Sequence, residues 1–152
     1  MSYYKNKANT YGLPKHDPMT VAEALVAYDT PSKRIHLSRH GLTPSFVVDL
    51  IDSYHFTKQE TSKLVDISTK TLDRHIQSGK RFIGLQSDRL LQLAEIYKEG
   101  IDVFGSREKF LKWLNSEIPA LGGTRPKEWL DTHRGITMIS DELGRIKHGI
   151  FA

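Results

Sequence analysis

Apolar residues return at helical spacing along most of this chain. Phe46, Val47, Leu50, Ile51 and Tyr54 repeat every three to four positions behind Thr43 and Pro44, a hydroxyl cap followed by a first-turn proline. Earlier, "TVAEALVAY" sets Thr20 and Glu23 in capping-box spacing and predicts a short helix over residues 20–28, closed by "DTPSK" with its Pro31. The run "FTKQETSKLVDISTKTLDRHIQSGK" reads as two helices. Thr57 and Glu60 cap the first, which Leu64 and Val65 close. Asp66-Ile67-Ser68 turns the chain, and Ser68 caps a second helix with Leu72 and Ile76 inward, stopped near Gly79. From Ser87, "SDRLLQLAEIYKEG" is a strong amphipathic helix with Leu90, Leu91, Leu93, Ala94, Ile96 and Tyr97 on its inner face. Another starts at Ser106 and buries Phe110, Leu111 and either Trp113 or Leu114. Pro119 ends that helix, Gly122 and Gly123 allow a tight turn, and Pro126 opens a short helix with Trp129 and Leu130 inward. After Gly135 a last helix aligns Ile136, Ile139, Leu143 and Ile146, with Gly149 as its stop. No segment alternates with period two and nothing repeats, so the expected fold is all-α.

Composition narrows the setting. A chain of 152 residues fits one domain or two very small ones, and 26% charged with 38% hydrophobic residues is ordinary for a globular protein. The first eighteen residues are polar and lack the apolar core of a signal peptide, and no run is long enough to span a bilayer. There is no cysteine, hence no disulfide and no thiolate nucleophile or ligand. These features lead us to expect a cytoplasmic protein with no membrane association.

The formal charge of +4 is unevenly spread. Between Ser68 and Arg81, Lys70, Arg74, Lys80 and Arg81 stand against a single acid, Asp73. Two short helices, a three-residue turn and a basic second helix describe a DNA-binding helix-turn-helix. Ser62 is small where the helices approach, and Asp66 tolerates the positive φ that such a turn demands. In that reading Ser68, Thr69, Lys70, Asp73, Arg74 and Gln77 face DNA. Arg74 suits guanine and Gln77 adenine, whereas Lys80 and Arg81 suit phosphates. A solvated helix face or a protein-binding hairpin has the same composition.

No catalytic constellation emerges, and an enzyme is not expected. His36 and His40 lie four apart without a third ligand, and Ser38 and Gly41 weaken a helix there; structural zinc needs more donors. "LGGTRP" lacks the lysine and hydroxyl of a phosphate loop. Asp141 and Glu142 are adjacent and diverge on a helix. No cofactor is implied.

The last third is not DNA-binding apparatus, and Ile150 and Phe151 beyond the Gly149 stop either tuck into their own core or plug a partner. Here a resemblance becomes specific. "FGSREKFLKWLNSEIPALGGTRPKEWLDTHRGITMISDELGRIKHGIFA" is similar to the toxin-binding domain of the Xre/ParS/MbcA antitoxins: Trp-Leu on a helix, Pro-Ala-Leu-Gly-Gly-x-x-Pro, Leu-Asp-Thr, and Leu-Gly-Arg-Ile-x-x-Gly-x-x-Ala. "ISTKTLDRHIQSGK" and "SDRLLQLAEIYKEGIDVFG" resemble the family's helix-turn-helix and connecting helix. The similarity spans about Gly41 to Ala152. Two residues depart from the pattern: Gly100 predicts a kink or break in the connecting helix, and Trp129 stands where the family commonly has a smaller aliphatic residue.

The resemblance implies a bacterial type II antitoxin with a flexible tail (1–18), an Xre-like helix-turn-helix domain (19–100) and a toxin-binding domain (101–152). Its usual partner is a RES-domain toxin, an enzyme that depletes NAD or transfers its ADP-ribose. Family members form homodimers, bind their own promoter DNA, and block the toxin's active-site cleft with their C-terminal end. Carried onto this chain, the toxin-binding residues are Arg145, Lys147, His148, Gly149, Ile150, Phe151 and Ala152. The competing expectation is a homodimeric helix-turn-helix regulator with no toxin partner.

Overall fold

The computed structural model describes residues 30–149, so the expected helix over residues 20–28 and the terminal Ile150, Phe151 and Ala152 lie outside the described part. Within it the protein is all-α: α1 (Pro31–His40), α2 (Pro44–Tyr54), α3 (Lys58–Leu64), α4 (Thr69–Ser78), α5 (Leu85–Phe104), α6 (Arg107–Leu114) and α7 (His133–Lys147), with 3-10 turns at Pro119–Leu121 and Pro126–Trp129. Two isolated bridges, Leu42 with Phe82 and Ile118 with Thr124, are the sole extended pairings among the described residues. The chain forms two compact units that divide between Ala94 and Glu95, inside α5.

Helix starts follow local chemistry closely. Thr43, Thr57, Ser68, Ser106 and Thr132 each turn a hydroxyl back to accept an amide of the first turn. Each such cap contributes about 1 kcal/mol. Glu60 completes the box by accepting from the Thr57 amide at 2.7 Å. The hydrophobic pattern does not announce helix α1. Thr30 caps it and Pro31 occupies the first turn, yet only Leu37 of its ten residues is buried, so it carries no apolar stripe.

In the first unit Leu42, Phe46, Val47, Leu50, Ile51, Tyr54, Leu64, Leu72, Ile76, Phe82, Leu90 and Leu93 make the buried core. The Tyr54 hydroxyl donates to the Leu93 carbonyl at 2.5 Å, tying α2 to α5 with no polar group left over at the end of a buried ring. Leu42 and Phe82 exchange two backbone hydrogen bonds of 2.8 and 2.9 Å, which fix the segment after α4. The small contact residue of α3 is Thr61, buried and bonded to the Thr57 carbonyl; the expected Ser62 is half-buried, as is Ile67.

In the second unit α5 runs through Gly100 without the expected break. A Cβ there would collide with the ring of Phe110, so this glycine is a notch for close packing. The helix stops at Gly105, φ +79°. Phe110 and Leu114 are fully buried, so Leu114 and not Trp113 takes the inner position, whereas Leu111 and Trp129, expected inside, are half-buried. Gly122 and Gly123 take φ of +68° and +75°, and the segment after Pro126 is 3-10, not α. Gly135 lies inside α7, not before it: Thr132 caps the helix ahead of it, and a Cβ on Gly135 would strike the Trp129 carbonyl.

Candidate functional site

The pair α3–α4 carries the basic cluster. Asp66 takes φ +54° in the turn, a region Asp tolerates better than most side chains. The Thr71 amide donates to Ser68 Oγ at 3.1 Å, so the Ser68 hydroxyl serves the helix start. Lys70, Arg74 and Gln77 are exposed, spaced about one turn apart along α4, and Thr69 is half-buried. Asp73 is not a free outward group: its carboxylate is ion-paired with Lys58 Nζ of α3, and both side chains are about three-quarters shielded. That pair clamps the two helices across the turn. Nothing in the local sequence singles out Lys58, because no spacing rule aligns residues fifteen positions apart.

Beyond α4, Gly79 closes the helix at φ +70° and exposes Lys80 and Arg81. Arg81 Nη1 donates to the Gly41 carbonyl at 3.3 Å, which orients this basic end. On the inner side of α4, His75 is buried against the Phe82 ring, with centroids 5.0 Å apart and its Nδ1 without a hydrogen-bond partner. Burial holds the imidazole below its ordinary pKa, and the nearby cations Lys80 and Arg74 push it the same way. Motif reading misses His75, although its place one residue before Ile76 on the apolar face is a signal.

The second candidate surface is the end of α7. Glu142 is 8% exposed and accepts from Arg145 Nη1 at 2.9 Å, so the arginine, itself half in solvent, neutralises a buried acid of its own helix. Lys147, His148 and Gly149 are exposed, and Ile146 is half-buried. The loop before α7 is closed from within. Ile118 and Gly123 donate to the Thr124 and Ile118 carbonyls, and the Trp129 indole donates to Thr124 Oγ1 at 2.6 Å. Ser140 donates to Glu99 at 3.1 Å, joining α7 to α5. The proline-glycine loop therefore acts as a rigid corner that aims α7.

His36 and His40 do share a helix, with stacked rings 3.8 Å apart. Among the described residues no group of three or more metal-type ligands assembles, and no helix is long and apolar enough to cross a membrane.

Residues 99–149 match the antitoxin Xre/MbcA/ParS C-terminal toxin-binding domain. Antitoxin Xre of Yersinia enterocolitica is 28% identical over 127 residues, covering 80% of this chain and 86% of that protein. Antitoxin Xre of Photorhabdus laumondii is 28% identical over 109 residues, covering 70% and 74%. The Prs ADP-ribosylating antitoxin of a Sphingobium species is 26% identical over 132 residues, covering 81% and 83%. In fold, the chain is similar to a chain of the M. tuberculosis MbcT–MbcA toxin–antitoxin complex, with a TM-score of 0.53 at 19% identity over 72% of this chain and 96% of that one. With the domain match lying over α6, the closed loop and α7, residues 99–149 carry the toxin-binding domain of the Xre/MbcA/ParS antitoxins, and the chain is similar to such antitoxins over most of its length.

Proposed function

We propose that this antitoxin neutralises a RES-type, NAD-consuming toxin by lodging residues 145–152 in the toxin's active-site cleft, and that a homodimer binds its own promoter through α4. The observation that carries the first part is the toxin-binding domain match, which runs along α7 to Gly149, beside Ile150 and Phe151. Two such side chains buried in a cleft contribute about 1.5–3 kcal/mol each before ordering costs. Lys147 adds a cation suited to a pocket that receives pyrophosphate. The name of the Sphingobium relative couples an antitoxin with ADP-ribosylation, a reaction in which NAD is the donor, and so favours an NAD-directed partner.

The DNA reading is supported by exposed Lys70, Arg74 and Gln77 on one helix, flanked by Lys80 and Arg81. A two-fold dimer would set two such helices about 34 Å apart, one turn of B-DNA.

Deleting residues 149–152 and co-expressing the chain with the toxin from the neighbouring reading frame tests the proposal. Lost protection with operator binding kept is the expected result. Full protection by the truncated chain overturns occlusion by the tail. A regulator without a toxin would have no toxic neighbour to rescue.

A further inference from the structure

Helix α1 is polar on nearly every side. Leu37 is its one buried residue, and the helix holds Lys33, Arg34 and Arg39, all exposed, with no acid among its ten residues. Short helices owe their stability mainly to a packed apolar face, which this one hardly has. Its cations weigh in the charge of the whole chain. With Lys70, Arg74, Lys80 and Arg81 they stand against one acid, Asp73, which is already ion-paired with Lys58. The rest of the chain has fifteen basic and seventeen acidic residues.

The C-terminal end of α1 is fastened to the basic segment that follows α4. The Ser38 carbonyl accepts the Gly84 amide at 3.0 Å and the Ser87 hydroxyl at 3.1 Å, and the Gly41 carbonyl accepts Arg81 Nη1 at 3.3 Å. Gly41, at φ +86°, has no room for a side chain. A Cβ there would strike the Phe82 carbonyl and Ile83, and would lie 3.0 Å from Arg81 Cβ. Arg39 and His40 therefore end beside the segment that carries Lys80 and Arg81, although 40 positions separate Gly41 from Arg81.

We propose that α1 is a second DNA contact, in which Arg39, with Lys33 and Arg34, binds phosphates of the duplex whose groove α4 enters. This rests on the DNA reading of α4. Arg39 follows Leu37 by two positions, which sets it nearly opposite the buried side of the helix. Ten helical residues run about 15 Å, the axial length of about four phosphates of one strand. Such cations fix position and affinity without reading bases. An acidic protein surface would offer the same charge. DNA is the better occupant because α1 is bonded to the segment directly after the recognition helix, so seating α4 in a groove brings α1 to the same duplex.

The test uses the full-length chain, titrated over a range of salt against a labelled duplex of its own promoter and one of random sequence. In Arg39→Gln the slope of log affinity against log salt should fall by about one per bound protomer, with an affinity loss of about eightfold at 0.1 M salt on both duplexes. Lys33→Gln/Arg34→Gln/Arg39→Gln should lower the slope by about two to three, and Arg39→Lys should keep the parent's. If Arg39 only offsets the negative end of the α1 dipole, Arg39→Gln lowers the urea midpoint and leaves the slope alone, which overturns the proposal. Unchanged slopes with toxin neutralisation lost assign this face to an acidic protein and overturn it too. In both cases promoter binding survives and α4 stands as the reader, whereas a parent chain that binds neither duplex overturns both readings.

Discussion

Gly100 of α5 opens a notch that the ring of Phe110 in α6 fills, and the helix runs straight through the position. Gly100→Ala sets two effects against each other. Alanine favours a helix interior by about 1 kcal/mol, while an added methyl in a packed core costs about 1–3 kcal/mol. Because the obstacle is a fully buried aromatic ring, flanked by Tyr97, Phe104 and Trp113, the clash wins. Urea unfolding of Gly100→Ala should show a lower midpoint than the parent; a higher one would mean that Phe110 can move aside.

Arg145 separates stability from partner binding. Its ion pair with Glu142 is half in solvent, so Arg145→Ala should cost at most about 1 kcal/mol of stability. If this arginine meets the toxin, neutralisation should drop by much more than the unfolding midpoint does. Co-expression growth and a urea titration on the same variant give the two numbers.

For the α4 surface, Arg74→Ala should weaken operator binding by about 1–3 kcal/mol and relax base preference at one position. Lys80→Ala should weaken binding to all sequences alike and lower the salt slope by about one. Gel-shift titrations at several salt concentrations distinguish the two patterns. Unchanged binding in Lys70→Ala/Arg74→Ala together would refute α4 as the DNA-reading element.

Asp73 tests how the two short helices are held. Asp73→Asn removes the partner of Lys58 while keeping the shape. A modest loss of stability, about 0.5–1 kcal/mol for this partly shielded pair, is expected, and it should shrink when Lys58 is replaced as well. Additive losses would show that the two residues do not act as a pair.

His75 predicts an acid-sensitive first unit. Its pKa is lowered in the folded state, by burial first and then by Lys80 and Arg74. The unfolded chain therefore binds its proton at a higher pH than the folded one, and this side chain's contribution is complete above its ordinary value of about 6.5. As pH falls below that value stability should decline, through to the lowered folded pKa. Unfolding midpoints measured from about pH 7.5 down to about pH 5 check the slope, and His75→Leu should flatten it.

Much of this is written locally. The hydroxyl caps at Thr43, Thr57, Ser68 and Ser106, the positive-φ turn at Asp66 and the glycine stop at Gly79 depend on residues within one helical turn of each other, so spacing alone reveals them. The inward faces of α2, α4 and α5 are equally plain, because burial on one side imposes a 3.6-residue period. Helix α1 is invisible for the opposite reason: with only Leu37 buried it has almost no stripe, and a cap plus the bonds to Ser38 hold it.

Residues far apart in the chain decide the rest. Gly100 looks like a helix breaker until Phe110 supplies a reason for a missing side chain, and Gly135 looks like a linker until the Trp129 carbonyl does the same. Asp73 looks like a free group on a recognition face until Lys58 arrives from the other helix. By itself, then, the sequence determined where α2, α3, α4 and α6 begin, which faces are apolar and which family's ending the chain carries, since these follow from neighbours along the backbone. Only the tertiary structure decided which glycines are notches, which acids are already paired and which histidine is buried, because steric exclusion and Coulomb attraction act through space and not along the chain.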